Sequence, residues 1–251
     1  MYKQGIEVKK EIDLGVIVEK PSWFSFIESL YPKSERIYHP NDQDELIYIN
    51  PDGIVIGFIA GQGSSIAACM AERLRVYGAK AIIRIGTCGV LSKSVKLWTP
   101  IVTTACFSSE GTSGHYLPKG YPIISDVNLN DILIKKITEA RMDYQRGVTI
   151  TTDGRWREDP VLMRELCELG AVSIEMETAA ILSVCQFRKI SVAAINIPTD
   201  LPTKKDDKND LKGVPNIATY HSDVKKIMTK IIPVAVDALK EYYKNSAKKA
   251  K

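Results

Sequence analysis

Gly53 to Ile85 reads GIVIGFIAGQGSSIAACMAERLRVYGAKAIIRI: an apolar run, a glycine-bearing turn, a helical stretch and a second apolar run. GIVIGFIA (53–60) and AKAIIRI (79–85) are rich in β-branched residues and too apolar to be half-solvated, which predicts strands covered on both faces. Ser64–Tyr77 between them reads as a helix. The alternation continues on both sides. Strands are expected at 14–18, 45–49, 99–105, 147–152 and 191–197, and helices at 130–140, 160–169, 177–187 and 223–243. This order predicts an α/β fold, a single domain over residues 1–251 with a central mixed β-sheet flanked by helices. In the last helix Val224, Ile227, Met228, Ile231, Val234 and Leu239 form a core-facing stripe, with Pro233 set to kink it.

The 251 residues are 45% hydrophobic and 25% charged, ordinary for a globular chain that buries a sizeable core. The net charge of +4 is small, and part of it sits in the tail KNSAKKAK (244–251), read as a frayed, solvated end. That argues against a nucleic-acid partner. The five cysteines are scattered without a C-x-x-C pair, as for reduced thiols, and the three histidines have no metal-ligand spacing. The polar opening MYKQGIEVKKEIDLG has no leader character, and no apolar run is long enough for a membrane span. The expectation is a cytoplasmic protein with no metal, no cofactor and no membrane partner.

In open α/β sheets ligands gather at the carboxyl ends of strands, so the segments after each strand carry the chemistry. GQGSSI (61–66) lacks the third glycine of a dinucleotide fingerprint, since Ile66 stands in its place, and a NAD-dependent oxidoreductase is set aside. Gly61 is either part of a tight turn or an anion contact at a helix start. RIGTCG (84–89) joins Arg84 and the Thr87 hydroxyl to open glycine amides. That set suits phosphate, the other reading being a structural ion pair for Arg84. Asp200, between Pro198-Thr199 and Leu201-Pro202, is either a turn cap or a buried acid with a raised pKa. TITTDGRW (149–156) offers Thr152, Arg155 and Trp156 as a base pocket, although a lone tryptophan is commonly core.

SIEMETAAILSV (173–184) sets two glutamates around a methionine at a helix start. A carboxylate accepts two hydrogen bonds, matching the vicinal hydroxyls of a ribose, and stabilises positive charge at the anomeric carbon. Glu177 or Glu175 fits that role, with Met176 packing on the sugar.

RIGTCGVL (84–91), EGTSGHYLPKGYPIISD (110–126), TTDGRW (151–156), SIEMETAA (173–180) and PTD (198–200), taken in order, closely resemble the hexameric-type nucleoside phosphorylases, which include purine nucleoside and uridine phosphorylases. The resemblance runs from about Gly57 to Asp200. It implies phosphate attack on the anomeric carbon of a nucleoside, releasing free base and ribose 1-phosphate, with inorganic phosphate as co-substrate and no cofactor. Arg84 and Thr87 would hold phosphate and Met176 and Glu177 the ribose. Asp200 would protonate a purine ring nitrogen, and the chain would assemble as a homo-oligomer, a hexamer or dimer.

This chain departs from that pattern. Where the family has Gly-Asp-Pro and a nearby arginine, it has Glu19-Lys20-Pro21 and Trp23, so a phosphate-binding glycine and arginine are absent and Glu19 repels phosphate. Lys20 and Arg36 are the candidate substitutes. The family's N-terminal histidine is missing, and Arg155 stands where an aromatic is common. IGT and EGTSGHYLP resemble the uridine branch, but the glutamine-arginine pair that reads a pyrimidine is absent after TTDGRW, and Asp200 favours purines. The rivals are a nucleosidase of the same fold using water, and a nucleoside-binding protein without turnover. The polar stretch 200–216 reads as either a lid or an inert loop.

Overall fold

The computed structural model describes residues 2–3, 6–8, 10–39, 44–92, 94–157, 159–200 and 217–249. The strands among them are β1 (Tyr2–Lys3), β2 (Ile6–Glu7), β3 (Leu14–Val18), β4 (Glu35–His39), β5 (Asp44–Ile49), β6 (Ile56–Ala60), β7 (Ala81–Val90), β8 (Ile101–Ser109), β9 (Ile123–Ile124), β10 (Gln145–Thr152), β11 (Ala171–Glu175) and β12 (Ser191–Asp200). The α-helices are α1 (Phe24–Leu30), α2 (Ser64–Tyr77), α3 (Val127–Glu139), α4 (Pro160–Glu168), α5 (Thr178–Arg188) and α6 (Ile217–Lys249). β1 and β2 form a separate small hairpin, and the other strands make a 10-stranded mixed sheet in the order β11-β10-β8-β12-β7-β3-β6-β5-β4, with β9 on β8.

Strand β7 is the hub. It pairs in parallel with β3 and β12, and its last residues turn antiparallel to β11, with Ser173 opposite Val90 and Ile174 opposite Gly89. β7, β12, β8, β10 and β11 therefore close on themselves. Closure needs strands longer than their apolar runs. β7, β8 and β12 continue past the expected ends at 85, 105 and 197 through glycine, threonine, serine and proline, because each extension has a partner strand. RIGTCG and PTD thus lie inside strands, not in the loops after them. β4, β11 and α1 have no clear periodic signal and form through their neighbours.

Alternation along each strand sorts the core into two layers. Leu14, Val16, Ile83 and Ile85 pack with α1, α3 and α6, while Ile17 and Ile82 pack with α2 and α5. The stripe on α6 is buried at every expected position, and Pro233 lies inside the helix. The tail is helical through Lys249 rather than frayed from 244, with exposed side chains from Lys244 to Lys248. The cysteines are all free; Cys88 and Cys185 are buried and Cys69 is exposed. Among the described residues no helix is long and apolar enough to cross a membrane, and no cluster could hold a metal ion.

Candidate active site

The two glutamates divide at the junction of β11 and α5. Glu175 ends the strand, and its Oε2 accepts the N–H groups of Glu177 and Thr178, both at 2.8 Å, satisfying the free donors of the helix start. Its Oε1 accepts the Thr151 hydroxyl at 2.5 Å. Glu177 turns toward Gly63, whose N–H donates to its Oε1 at 2.6 Å. Both carboxylates reach Arg84, with Nη2 2.5 Å from Glu177 and 3.0 Å from Glu175. Burial, reinforced by repulsion from Glu175, raises the Glu177 carboxyl above its ordinary value despite Arg84.

Arg84 is 1% exposed. Its guanidinium lies flat along the strand over Gly86, where an added Cβ would fall 2.3–2.4 Å from the guanidinium atoms. Its other nitrogen donates to Asn196. The structural ion pair is therefore what is seen. Arg84 stands behind the two glutamates and does not line the cavity, which corrects the expectation of a guanidinium open to phosphate.

Thr87 does line the cavity, and its donors are occupied. The Thr87 N–H and hydroxyl donate to Glu19 Oε2 at 2.7 and 2.6 Å. Lys20 stands 3.3 Å from the other oxygen. Burial alone would raise the Glu19 carboxyl, but Lys20, the two Thr87 hydrogen bonds and Arg84 outweigh it and hold it below the ordinary carboxylate value. Glu19 is an ionised carboxylate sitting on the anion-holding groups of β7.

Asp200 ends β12 opposite Gly89, and a Cβ on that glycine would stand 3.0 Å from the Asp200 carboxylate. The two glycines of RIGTCG thus make room for two different side chains, the guanidinium of Arg84 and the carboxylate of Asp200. Burial raises the Asp200 carboxyl, against the opposing pull of the Thr199 hydroxyl and Arg155.

These groups face a cavity of about 350 Å³ lined by Glu19, Lys20, Gln62, Thr87, Cys88, Gly89, Thr152, Arg155, Ile174, Glu175, Met176, Glu177, Thr199, Asp200, Tyr220 and His221. Of the expected residues the structure gathers Asp200, Glu175, Met176, Glu177, Thr87, Thr152 and Arg155. It leaves Gly61 out. The Gly61 N–H already donates to Val18, and an added Cβ would meet Met70 at 2.9 Å, so this glycine lets α2 pack closely. Trp156 is 77% exposed and off the cavity, stacked beside Arg155. Arg36 pairs with Glu28, which leaves Lys20 as the substitute cation at the cavity. Glu110 folds its own turn through Ser108, Thr112 and Ser113 and is not a cavity residue. Tyr220 and His221 arrive from α6, and no signal in the sequence placed them here. The stretch 201–216 lies outside the described residues.

The sequence profile of the phosphorylase superfamily matches residues 51–233, well over half of the chain. A uridine phosphorylase of Haemophilus influenzae is 23% identical over 228 residues, 81% of this chain and 87% of that enzyme. A DeoD-type purine nucleoside phosphorylase of Bacillus cereus is 30% identical over 140 residues, 54% of this chain and 57% of that enzyme's length. In fold, the chain is similar to the purine nucleoside phosphorylase of Toxoplasma gondii, solved with immucillin-H, at a TM-score of 0.79 over 97% of this chain and 100% of that one, with 24% identity. It is similar to the uridine phosphorylase of Vibrio fischeri at a TM-score of 0.77 over 94% and 93%, with 21% identity. The chain belongs to the phosphorylase superfamily, as a member of its nucleoside phosphorylase family.

Proposed function

We propose that the protein cleaves the N-glycosidic bond of a purine nucleoside and passes the ribosyl group to inorganic phosphate. The observation that carries this reading is the pairing, across one cavity, of a fixed carboxylate and an acid with a raised pKa. Glu177 has one donor on each oxygen, Gly63 and Arg84, which leaves a lone pair on each for a ribose hydroxyl. Met176 lies beside it, its carbonyl held by the Ser64 hydroxyl at 2.7 Å. As the bond from the anomeric carbon to the base breaks, its electron pair leaves with the base and Asp200 gives its proton to the ring nitrogen. A phosphate oxygen then bonds to the anomeric carbon. The carboxylates below the sugar stabilise the developing positive charge. Thr87 and Lys20 would hold the phosphate, which requires the Glu19 carboxylate to give way.

One observation favours a second reading, hydrolysis. Glu19 already occupies the donors of Thr87, and its ionised carboxylate there repels phosphate while it can accept a hydrogen bond from a water that takes phosphate's place. The products would then be free base and free ribose. The test incubates the protein with inosine, adenosine, guanosine and uridine, with and without phosphate, and assays base, ribose 1-phosphate and ribose. Cleavage that needs phosphate and yields ribose 1-phosphate supports phosphorolysis, and Glu19→Gly then raises it. Cleavage indifferent to phosphate and abolished by Glu19→Gly establishes hydrolysis. Uridine cleaved faster than any purine nucleoside refutes the purine assignment. Absence of all cleavage would leave a binding protein.

The same reading makes the protein a cytoplasmic salvage enzyme working as a dimer or hexamer. The assembly is supported by the exposed apolar group Tyr121, Ile124 and Phe187 around β9 and the end of α5. Light scattering on the purified protein tests the assembly, and a monomer would refute it.

A further inference from the structure

Asn196 sits near the end of the apolar run SVAAINI (191–197), fully buried, and does not line the cavity. Its amide is nonetheless tied at both ends. The carbonyl oxygen accepts from Arg84, and Nδ2 stands 2.9 Å from the Thr103 hydroxyl, 3.3 Å from Thr149 and 3.4 Å from Thr178. Thr149 in turn contacts Thr103 at 2.8 Å and Ser173 at 3.0 Å. Arg84 has only donors, so the amide oxygen must face it, and the hydroxyls on the other side fix that orientation.

Apolar side chains of the same shape would pack as well as this cluster, but they would leave the buried Arg84 guanidinium without an acceptor on this side. The use of the cluster lies at the far end of Arg84. That guanidinium is shared between Asn196 on one nitrogen and Glu177 and Glu175 on the other. Gly86 leaves the slot open and Asn196 sets where along it the guanidinium rests. Without a neutral acceptor at Asn196, Arg84 would have no fixed partner on the side away from the carboxylates.

We infer that Asn196, oriented by the hydroxyls of Thr103, Thr149 and Thr178, is a positioning residue that aims the Glu177 carboxylate at the ribose hydroxyls through Arg84. The inference rests on the ribose role proposed for Glu177. The amide being neutral matters as much as its place. A carboxylate there would draw Arg84 off Glu177, whose already raised carboxyl would then take up a proton.

The test compares inosine with 2′-deoxyinosine, which lacks one of the hydroxyls Glu177 would hold. In Asn196→Asp, kcat/KM for inosine is expected to fall about 10- to 100-fold, the size of one charge-assisted hydrogen bond, and for 2′-deoxyinosine, which keeps the 3′ hydroxyl, by a smaller factor of about 3- to 10-fold. In a Glu177→Gln background the same substitution should change the inosine value by no more than about 3-fold. Thr149→Val, which keeps the shape and takes one hydroxyl from the amide as well as from Thr103 and Ser173, should show the same selectivity at about 3- to 10-fold, and it decides the matter if Asn196→Asp does not fold. Equal losses on both nucleosides, or a loss that adds in full to Glu177→Gln, overturn the inference. A wild-type protein that cleaves no nucleoside overturns the proposed function itself, and this inference with it.

Discussion

Gly86→Ala is the most exacting substitution the structure offers, because it adds one methyl group and removes no polar atom. The new Cβ would lie 2.3 Å from Nη2 and 2.4 Å from Cζ and Nη1 of Arg84, far inside contact distance. The guanidinium must leave its slot. Its two carboxylate contacts, at 2.5 and 3.0 Å, are each worth about 5–7 kcal/mol of gross Coulomb attraction at an effective dielectric near 20, before desolvation. The net effect is smaller. Breaking a buried ion pair destabilises by about 3–5 kcal/mol, chiefly because charges are left buried without partners. In a chain of this size that lowers Tm by about 6–20 °C. Activity should fall further than stability, since Glu177 without Arg84 holds a proton instead of a sugar. The assay is urea denaturation of wild type and Gly86→Ala, with nucleoside cleavage measured where both are folded. A variant within about 0.5 kcal/mol of wild type and equally active would show that Arg84 does not pack on this glycine and does not clamp Glu177.

Glu177→Ala should lose about 100-fold or more in kcat/KM while circular dichroism stays native, because Arg84 keeps Glu175 and Asn196 as partners; near-wild-type turnover would remove Glu177 from the ribose. Asp200 acts as a proton donor only when protonated, and its raised pKa extends that form upward in pH. kcat/KM for a purine nucleoside should therefore decline as pH rises through the Asp200 value, and Asp200→Asn should harm purine cleavage more than any uridine cleavage; equal harm would contradict the proton-donor role. Glu19 has the opposite sign. Its folded carboxyl lies below the unfolded value, so its contribution to stability is full above the ordinary carboxylate range and is lost as pH falls through the folded value. Urea midpoints at pH 7 and pH 4 should differ less for Glu19→Gln than for wild type, and an unchanged difference would argue against the Thr87 contacts. Trp156→Ala should alter KM by about 2-fold or less, given its exposure off the cavity; a loss of about 10-fold would place it on the base.

The α/β class, the central strands, the five main helices and the buried stripe of α6 follow from hydrophobic period, which depends on neighbours a few residues apart in the chain. The choice of glutamate pair, threonine and aspartate as the groups that meet comes instead from side-chain chemistry and from the family resemblance of the motifs that carry them. The division of labour between Glu175 and Glu177 does not follow from the sequence. It is set when β11 pairs with the end of β7 and brings both carboxylates against Arg84, 91 and 93 positions away in the chain. The same closure turns Arg84 from an open anion receptor into a buried clamp, because the glycine two residues on admits the guanidinium and Asn196 receives it. Glu19 reads in the sequence as the loss of a phosphate ligand. Only the parallel pairing of β3 with β7 puts its carboxylate on Thr87, making the departure itself a part of the site. Local pattern fixes which faces are buried, and long-range strand pairing fixes which charges meet. In this protein the second decided what the site can hold.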